Sequence, residues 1–315
     1  MEIFIIVVIS FLIVLLLCVL GGGLYAYFQA FYAKAGKENV EDYFKNNESF
    51  QNAKGEMDAL INEVKSIPFE EVYIKSYDGL RLYGRYYHIR DGAPVQIQLH
   101  GYKGSAVRDF CGGHKLARKL GHNILLIDQR GCGKSEGNTI TFGVRERFDA
   151  LSWANYISER FKDSPIFLVG VSMGGATVLM TTDMELPKNV LGVIADCPYS
   201  SPEAIIRKVC SDRGMPEKIY PAVTLGAIIY GHFNPNGVGA VQSVKNARVP
   251  ILILHGENDG FVPCSMAEEI YNSCNGGRYL YTFKGADHGM SYMTDPEKYE
   301  RATIDFIDRC SEVNN

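Results

Sequence analysis

What this sequence lacks narrows the kinds of protein it can encode. Its 315 residues contain no block of like charges, and 32 basic against 36 acidic side chains leave a formal net charge of -4. Nucleic-acid binding needs a basic face for the phosphates, so we expect no nucleic-acid partner. Internal repeats and low-complexity segments are also missing. With 46% hydrophobic and 22% charged residues, the composition is that of a globular domain rather than a disordered chain.

The eight cysteines lack the spacing of a metal site. No two of them form a C-x-x-C pair, which is the usual signature of structural zinc. Cys18 lies in an apolar N-terminal run, and the other seven are an odd number that cannot all pair with one another. We interpret them as mostly reduced thiols of the core, and we expect neither a bound metal nor a cofactor.

Charge is missing altogether between Ile3 and Ala33. The 18 residues from Ile3 to Leu20 are almost all Ile, Val, Leu and Phe, close to the roughly 20 that a helix needs to cross a bilayer core of about 30 Å. Aromatic residues resembling an interfacial belt follow, namely Tyr25, Tyr27, Phe28, Phe31 and Tyr32. We therefore predict a single-pass membrane anchor in residues 1–33. It would supply localisation and not chemistry, so its deletion should leave the rest of the protein functional.

Two other interpretations of this segment stay open, a helix buried in the core and a cleaved signal peptide. A signal peptide starts with basic residues and ends at a site of small residues, whereas this chain starts Met1-Glu2 and shows no clean cleavage site. Lys34 and Lys37 favour a cytoplasmic location for the chain beyond the span, but two residues leave the side of the membrane undetermined.

Strand patterns alternate with helix patterns from about residue 68, as in a mostly parallel α/β sheet with flanking helices. Residues 34–67 read as a helical juxtamembrane linker. An antiparallel hairpin is predicted at 71–89, and further strands are predicted at 95–99, 123–127, 166–169, 190–195, 251–254 and 278–283. The segment 166–169 is continuously apolar, as expected for a buried parallel strand. The alternation breaks at 201–245, which we predict to be a small helical cap inserted into a core of residues 68–200 and 246–315.

The motif Gly170-Val171-Ser172-Met173-Gly174 stands where a strand pattern changes to a helix pattern. Its spacing permits a sharp bend that lifts Ser172 above the sheet edge, because only glycine-sized residues fit two positions before and after the serine. So short a motif also occurs by chance. Four apolar residues before it and a run of small residues after it strengthen the prediction. The alternative is an ordinary tight turn around a buried serine.

A serine hydroxyl is a poor nucleophile unless a base accepts its proton and an acid orients that base. Among the seven histidines, His288 follows the last predicted strand and is the expected base. Asp259 follows the strand before it, which gives the chain order Ser, Asp, His. His100 and His255 each end a strand, where we expect the imidazole to bond to loop backbone.

Three aspartates follow strand ends and compete for the role of orienting acid. Asp287 adjoins His288 in sequence, and adjacent side chains usually diverge, so we set it aside. Asp196 stays open as an alternative. Asp259 lies in a loop bounded by glycine and proline, and we assign it the role.

Charge that develops on an attacked carbonyl is stabilised by two backbone N–H groups. Met173, directly after Ser172, is expected to supply one. The loop His100-Gly101-Tyr102-Lys103-Gly104 is rich enough in glycine to approach a substrate, and we expect the Tyr102 N–H to be the second donor. The alternative for this loop is an ordinary strand-end turn.

Together these motifs resemble the α/β-hydrolase superfamily, especially serine-aminopeptidase-like and monoacylglycerol-lipase-like esterases of the membrane-anchored bacterial type. The resemblance covers about Phe69 to Cys310 and is carried by Leu99-His100-Gly101-Tyr102, Asp128-Gln129-Arg130-Gly131-Cys132-Gly133-Lys134-Ser135, the Ser172 motif, the Asp259 loop and the His288 loop. It implies the α/β-hydrolase fold, a Ser172-His288-Asp259 triad, and hydrolysis of an acyl ester or lipid-like small molecule through an acyl-enzyme. It does not identify the substrate, because this fold hosts many reactions.

Two alternatives to an esterase stay open. One is a serine peptidase of the aminopeptidase type, although no acidic pair that would capture a substrate amine can be identified in the sequence. The other is a non-catalytic, membrane-tethered interaction protein on a hydrolase scaffold, although a degenerate scaffold would be expected to have lost a triad residue. Within the cap, the apolar stretch Ala222 to Tyr230 is either a wall of an acyl pocket or a core helix, and a charge at Ile228 would distinguish the two.

Overall fold

The computed structural model describes residues 1–33 and 47–312, and an eight-stranded sheet lies at its centre. In chain order the strands are β1 (Glu70–Lys75), β2 (Arg81–Tyr87), β3 (Val95–Leu99), β4 (Asn123–Asp128), β5 (Ile166–Val171), β6 (Val190–Asp196), β7 (Ile251–Gly256) and β8 (Arg278–Phe283). Their order across the sheet is β1-β2-β4-β3-β5-β6-β7-β8. β2 pairs antiparallel with β1 and β4, and the other neighbours pair parallel, which confirms the predicted sheet.

Helices cover the sheet and its carboxyl edge. They are α1 (Glu2–Ala30), α2 (Glu48–Ser66), α3 (Ala106–Asp109), α4 (Cys111–Lys119), α5 (Glu146–Arg160), α6 (Met173–Met180), α7 (Pro202–Asp212), α8 (Tyr220–Ile229), α9 (Ala240–Ser243), α10 (Cys264–Ser273), α11 (Ser291–Thr294) and α12 (Pro296–Glu312). Two 3-10 turns, Glu217–Ile219 and Val244–Asn246, precede α8 and follow α9.

Four strands run one or two residues past the apolar runs that predicted them. β4, β5, β6 and β7 end at Asp128, Val171, Asp196 and Gly256. Backbone pairing continues to these ends, since Asp128 pairs with Tyr83 and Val171 with Asp196. Pairing uses backbone groups rather than side chains, so a hydrophobic pattern underestimates strand length at the edge where polar residues gather.

Three apolar clusters form the core. One lies between the sheet and α2, α4 and α12, and the second between the other face and α5, α6 and α10. The third lies at the carboxyl edge and joins the end of α1 to α7 and α8. Ala240 and Val244, near the end of the predicted cap, belong to the second cluster. That end of the 201–245 insertion therefore packs with the core, and the remaining domain division stays a prediction.

Part of the predicted juxtamembrane linker, residues 34–46, lies outside the described residues. The rest is α2, which begins after Asn47, whose side chain accepts the N–H of Phe50 at 3.0 Å and caps the helix. Met57, Leu60 and Val64 share one face of α2 and are buried in the first cluster. α2 is therefore packed on the globular domain.

Helix α1 has an exposed part and a packed part. Its most apolar 18 residues have a mean hydropathy of 3.6 and none of them is buried, so by length and composition the helix can cross a membrane. A signal sequence near an N-terminus shares these properties. From Gly23 onward the helix contacts the globular domain, and Tyr27, Phe31 and Ala33 are buried in the third cluster.

The packed part of α1 crosses α8 at two glycines. A Cβ on Gly226 would overlap the carbonyl oxygen of Gly23, so the two backbones touch. Tyr230, just after α8, donates its hydroxyl to the carbonyl of Leu20 at 3.0 Å. Past the helix, the N–H of Ile140 donates to the carbonyl of Phe31 at 2.8 Å.

This packing corrects the prediction that residues 1–33 only anchor the protein. Phe31 is fully buried, with edge-to-face contacts to Phe142 and Phe233. No charged residue separates the exposed part of α1 from Phe31, and for that reason the sequence does not distinguish a membrane-facing helix from a core-facing one.

Candidate active site

The candidate residues meet at the carboxyl edge of the sheet, because each follows a parallel strand. Tyr102 follows β3, Ser172 follows β5, Asp196 ends β6, Asp259 follows β7 and His288 follows β8. The loops that follow these parallel strands emerge at this edge, which brings together side chains as far apart in sequence as Tyr102 and His288.

Ser172 sits in a strained turn between β5 and α6. Its backbone has φ 55° and ψ -116°, a left-handed conformation that costs a non-glycine residue about 1–3 kcal/mol. The two glycines of the motif permit this bend. A Cβ on Gly170 would overlap the carbonyl of Gly174, and a Cβ on Gly174 would overlap the carbonyl of Leu99. The predicted requirement for glycine at both positions is thus visible in the backbone contacts.

A continuous hydrogen-bond chain joins the three predicted residues. His288 Nε2 lies 2.9 Å from Ser172 Oγ, and His288 Nδ1 lies 2.7 Å from Asp259 Oδ2. A carboxylate can only accept, so Nδ1 carries the proton and Nε2 is left to accept from the serine hydroxyl. The other carboxylate oxygen, Oδ1, accepts the backbone N–H groups of Phe261 at 2.9 Å and Val262 at 2.7 Å.

The groups around Asp259 and His288 favour the ionised form of the Asp259 carboxyl. Burial would raise the pKa of this carboxyl, but His288 and His255 outweigh it and hold the pKa below the usual 3.8. Burial would likewise lower the pKa of His288, but contacts with Cys197 and the Asp259 carboxylate raise it well above the usual 6.5. The imidazole is thus a stronger base than a free histidine.

The two competing aspartates have other partners. Asp196 lies 3.4 Å from the Ser291 hydroxyl, and burial raises its pKa to about 6, partly offset by His255 and His288. Asp287 Oδ1 accepts the backbone N–H groups of Gly260 at 3.1 Å and of His288 at 2.7 Å. Asp287 therefore links the Asp259 loop to the His288 loop, a positioning contact that the sequence pattern did not reveal.

The two expected oxyanion donors lie beside Ser172. Met173 is the first residue of α6, and the first N–H groups of a helix have no acceptor within it. Tyr102 follows Gly101, at which an added Cβ would lie 3.4 Å from Ser172 Cβ. Their role as donors stays a prediction.

The remaining strand-end histidines bond to backbone, as expected. His100 Nδ1 lies 2.7 Å from the carbonyl of Gly101, and its Nε2 accepts the N–H of Gln129 at 3.0 Å. His255 Nε2 lies 2.8 Å from the carbonyl of Val262 and 3.3 Å from Asp259 Oδ2. His255 thus lies near the same carboxylate oxygen, Oδ2, that bonds to His288.

Known proteins share the fold of this chain. A family profile described as alpha/beta hydrolase fold matches residues 97–212. An esterase of Pyrococcus furiosus, Pf2001, superposes with a TM-score of 0.64 at 22% identity, covering 78% of this chain and 93% of that one. The chain has the α/β-hydrolase fold. The predicted fold class is therefore confirmed.

Sequence relatives of this chain include proteins named as lipases. The protein YqkD of Bacillus subtilis is 24% identical over 231 residues, which are 72% of this chain and 75% of YqkD. The lysophosphatidylserine lipase ABHD12 of Xenopus tropicalis is 26% identical over 209 residues, which are 61% of this chain and 49% of that lipase. The chain thus matches about half the length of the lipase, and a hydrolase with esterase and lipase relatives is what these comparisons support.

The hydrolase has one further residue at the site that sequence reasoning missed. Cys197 is buried with a positive φ of 44°, and its thiol, Asp259 and His288 have ligand atoms within 4.8 Å of one another. These three side chains could reach one metal ion. Burial raises the pKa of the thiol to about 11, so an ion would have to displace its proton. The hydrogen bonds of the triad already use the facing atoms of Asp259 and His288.

Ser172 lies between two cavities of the hydrolase. A small one of about 80 Å³ includes Arg108 and Asp109, which form a 2.8 Å ion pair. The larger one, about 340 Å³, is mostly apolar and is lined by residues of α1, α7 and α8. We call the larger one the apolar cavity; its volume is within the range of about 300–1,000 Å³ for ligand pockets.

Only the first part of the stretch Ala222 to Tyr230, which was predicted as a possible pocket wall, lines the apolar cavity. Ala222 and Val223 line the apolar cavity, whereas Ile228 does not and is 47% exposed. A charge at Ile228 therefore does not test the pocket, which corrects that expectation. Helical geometry turns Ile228 away from the cavity while Gly226 faces α1.

Proposed function

We propose that this α/β-hydrolase cleaves carboxylic esters through an acyl-enzyme, with Ser172, His288 and Asp259 as its catalytic triad. The observation that carries the proposal is the unbroken chain from Asp259 Oδ2 through both nitrogens of His288 to Ser172 Oγ. The serine of that chain is the residue with the strained backbone, and strain of this kind concentrates at functional sites.

In the acylation step, Ser172 Oγ attacks the ester carbonyl carbon while its proton passes to His288 Nε2. The carbonyl oxygen becomes an oxyanion, which the N–H groups of Met173 and Tyr102 would stabilise. The C–O bond to the leaving alcohol then breaks. The alcohol oxygen takes the proton from Nε2, and the acyl group remains on Ser172.

Deacylation repeats these steps with water in place of the serine. His288 Nε2 accepts a proton from the water as its oxygen attacks the acyl carbon, and returns that proton to Ser172 Oγ as the carboxylic acid leaves. Asp259 stays ionised throughout and stabilises the imidazolium that forms twice per turnover.

An apolar, lipid-like ester is the proposed substrate class. Ser172 opens into the apolar cavity, which suits an acyl chain, and relatives of this chain include lysophosphatidylserine lipases and esterases. We also propose that α1 anchors the enzyme in a membrane, on its length and exposed apolar surface. Two acidic residues, Asp109 and Asp196, line the small cavity. Asp109 is paired with Arg108, and burial raises the pKa of Asp196 to about 6, so neither favours capture of a substrate amine by a peptidase.

The direct test is hydrolysis of p-nitrophenyl esters by the full-length protein in detergent. We expect turnover by the wild type and loss of at least about 10³-fold in kcat for Ser172→Ala, because the attacking group is gone. Ser66→Ala is the matched control, since that hydroxyl bonds to Glu63 at the exposed end of α2. Turnover by Ser172→Ala near the wild-type rate would contradict the proposal, and an inactive wild type would favour a non-catalytic scaffold.

A further inference from the structure

One face of α1 lines the apolar cavity. The cavity-facing residues are spaced as one stripe of a helix, namely Gly22, Tyr25, Ala26, Gln29 and Ala30. The neighbouring face, with Gly23 and Tyr27, packs on α8. The opposite wall comes from α7, from α8 and from the segment between them, and includes Ile205, Ile206, Val209, Ile219 and Val223. The cavity is thus closed on one side by the helix that we propose as the membrane anchor.

The stripe begins where α1 first contacts the globular domain. Glu2 to Leu20 rise about 27 Å in a helix, close to the thickness of a bilayer core. Tyr230 bonds to the carbonyl of Leu20, so the end of α8 lies at the same level. Exposed apolar side chains also gather there, at Ile228 and Ile229. Gly22, the first residue of the stripe, is therefore next to the expected membrane surface.

The stripe ends at the candidate catalytic residues. Tyr102 donates its hydroxyl to the carbonyl of Ala30 at 2.7 Å, and both residues line the cavity together with Ser172. From Gly22 to Ala30 the helix rises about 12 Å. One continuous wall thus leads from the expected membrane surface to the serine.

From this arrangement we infer that α1 forms part of the acyl-binding site, and that the substrate is a single-chain lipid ester whose tail lies along Gly22 to Ala30, pointing toward the bilayer. This inference rests on the proposed function for the position of the ester at Ser172. The apolar cavity, at about 340 Å³, lies near the lower end of the range of about 300–1,000 Å³ for ligand pockets, which suits one acyl chain better than two.

Two adjacent glycines give a matched test. A Cβ added at either Gly21 or Gly22 meets no atom within 4 Å, so both positions accept a side chain, but Gly22 lines the cavity and Gly21 does not. In Gly22→Phe the ring would fill the membrane-side end of the cavity. We expect kcat/KM for a p-nitrophenyl dodecanoyl ester to fall about tenfold or more relative to the wild type, because the long chain loses buried methylenes. For a p-nitrophenyl butyryl ester, kcat/KM should stay within about twofold of the wild type, because the short chain does not reach Gly22.

Gly21→Phe is the control and should leave both esters unchanged. Equal dodecanoyl-to-butyryl ratios in Gly22→Phe and the wild type would overturn the inference, and so would the same loss in Gly21→Phe. An equal fall in kcat/KM for both esters in Gly22→Phe would also overturn the inference, because that result indicates general damage to the active site rather than loss of space for the acyl tail.

A second measurement does not depend on turnover. In Ser172→Ala, reconstituted in phosphatidylcholine vesicles, a monoacylglycerol with a photoreactive diazirine at its tail end should cross-link near Gly22, and one with the diazirine near the carbonyl should cross-link near Ala30. Mass spectrometry of the peptides locates the adducts. Absence of adducts from residues 22–30 would overturn the inference. If the wild type hydrolyses neither ester while these adducts form, the proposed function fails and the acyl-binding wall stands.

Discussion

Replacing Asp259 by asparagine tests the catalytic role of the hydrogen-bond chain at its far end. Asp259 Oδ1 accepts two backbone N–H groups, from Phe261 and Val262, and these bonds would hold the oxygen of an asparagine in the same place. The new NH₂ group would then face His288 Nδ1, which must become an acceptor. The ring proton moves to Nε2 and points at Ser172, so His288 can no longer accept the serine proton.

The magnitude of the loss comes from this forced tautomer. We expect kcat for a butyryl ester to fall by about 10³ to 10⁴, with little change in the fold. That is about 4 to 5.4 kcal/mol added to the barrier. Thermal unfolding and circular dichroism of the same preparation would confirm that the variant is folded.

Asp196→Asn is the matched control for this experiment. The Asp196 carboxylate accepts from the Ser291 hydroxyl at 3.4 Å, a bond that the oxygen of an asparagine can keep, and the substitution leaves the His288–Asp259 hydrogen bond in place. We expect a much milder effect, mainly on stability. A collapse of kcat in Asp196→Asn with near-normal turnover in Asp259→Asn would show that the acid has been assigned to the wrong aspartate.

Four further results are expected. The value of kcat/KM should fall as the pH drops through a pKa above 6.5, because the neutral form of His288 is the base and Cys197 and Asp259 raise its pKa. A profile in which kcat/KM falls only below pH 6 would contradict this. His288→Ala should cost orders of magnitude in kcat, whereas His100→Ala should act mainly through loop placement and stability, and equal losses would leave the base unassigned. EDTA should leave the rate of ester hydrolysis unchanged. Inhibition of hydrolysis by EDTA would indicate a metal ion bound by Cys197, Asp259 and His288. Deleting residues 2–20 should preserve folding and short-ester activity. Deleting residues 1–33 should lower the free energy of unfolding, measured by chemical denaturation, by at least about 3 kcal/mol because buried Phe31 is lost. Equal stability of the two truncated proteins would contradict the packing of α1.

Much of the fold could be predicted because its signals are local. Strand patterns predicted β3 and β8 with the ends that the structure shows, and the glycine spacing around Ser172 predicted the sharp turn. The order of residues after successive parallel strands brought Asp259 and His288 to one edge. These predictions needed only the strand period and the rule that loops at the carboxyl ends converge.

What could not be predicted depends on contacts between distant segments. An apolar helix looks the same in sequence whether lipid or protein covers it, so the burial of Phe31 and the crossing of Gly23 with Gly226 left no distinct pattern. In the sequence, nothing distinguishes Cys197 from the other cysteines; its position near His288 depends on the folded turn after β6. The bonds of Asp287 to two loops likewise required the folded backbone.

The most direct measurement of the central claim is the site of covalent labelling by a fluorophosphonate, which reacts with activated serines. Intact-mass and peptide analysis of the full-length protein should show one adduct per chain, located on Ser172. Labelling should be absent in Ser172→Ala and slowed strongly in His288→Ala and Asp259→Asn, because an unactivated hydroxyl does not displace fluoride. An adduct on another residue, or unchanged labelling rates in the His288 and Asp259 variants, would contradict the claim that these three residues form a working triad.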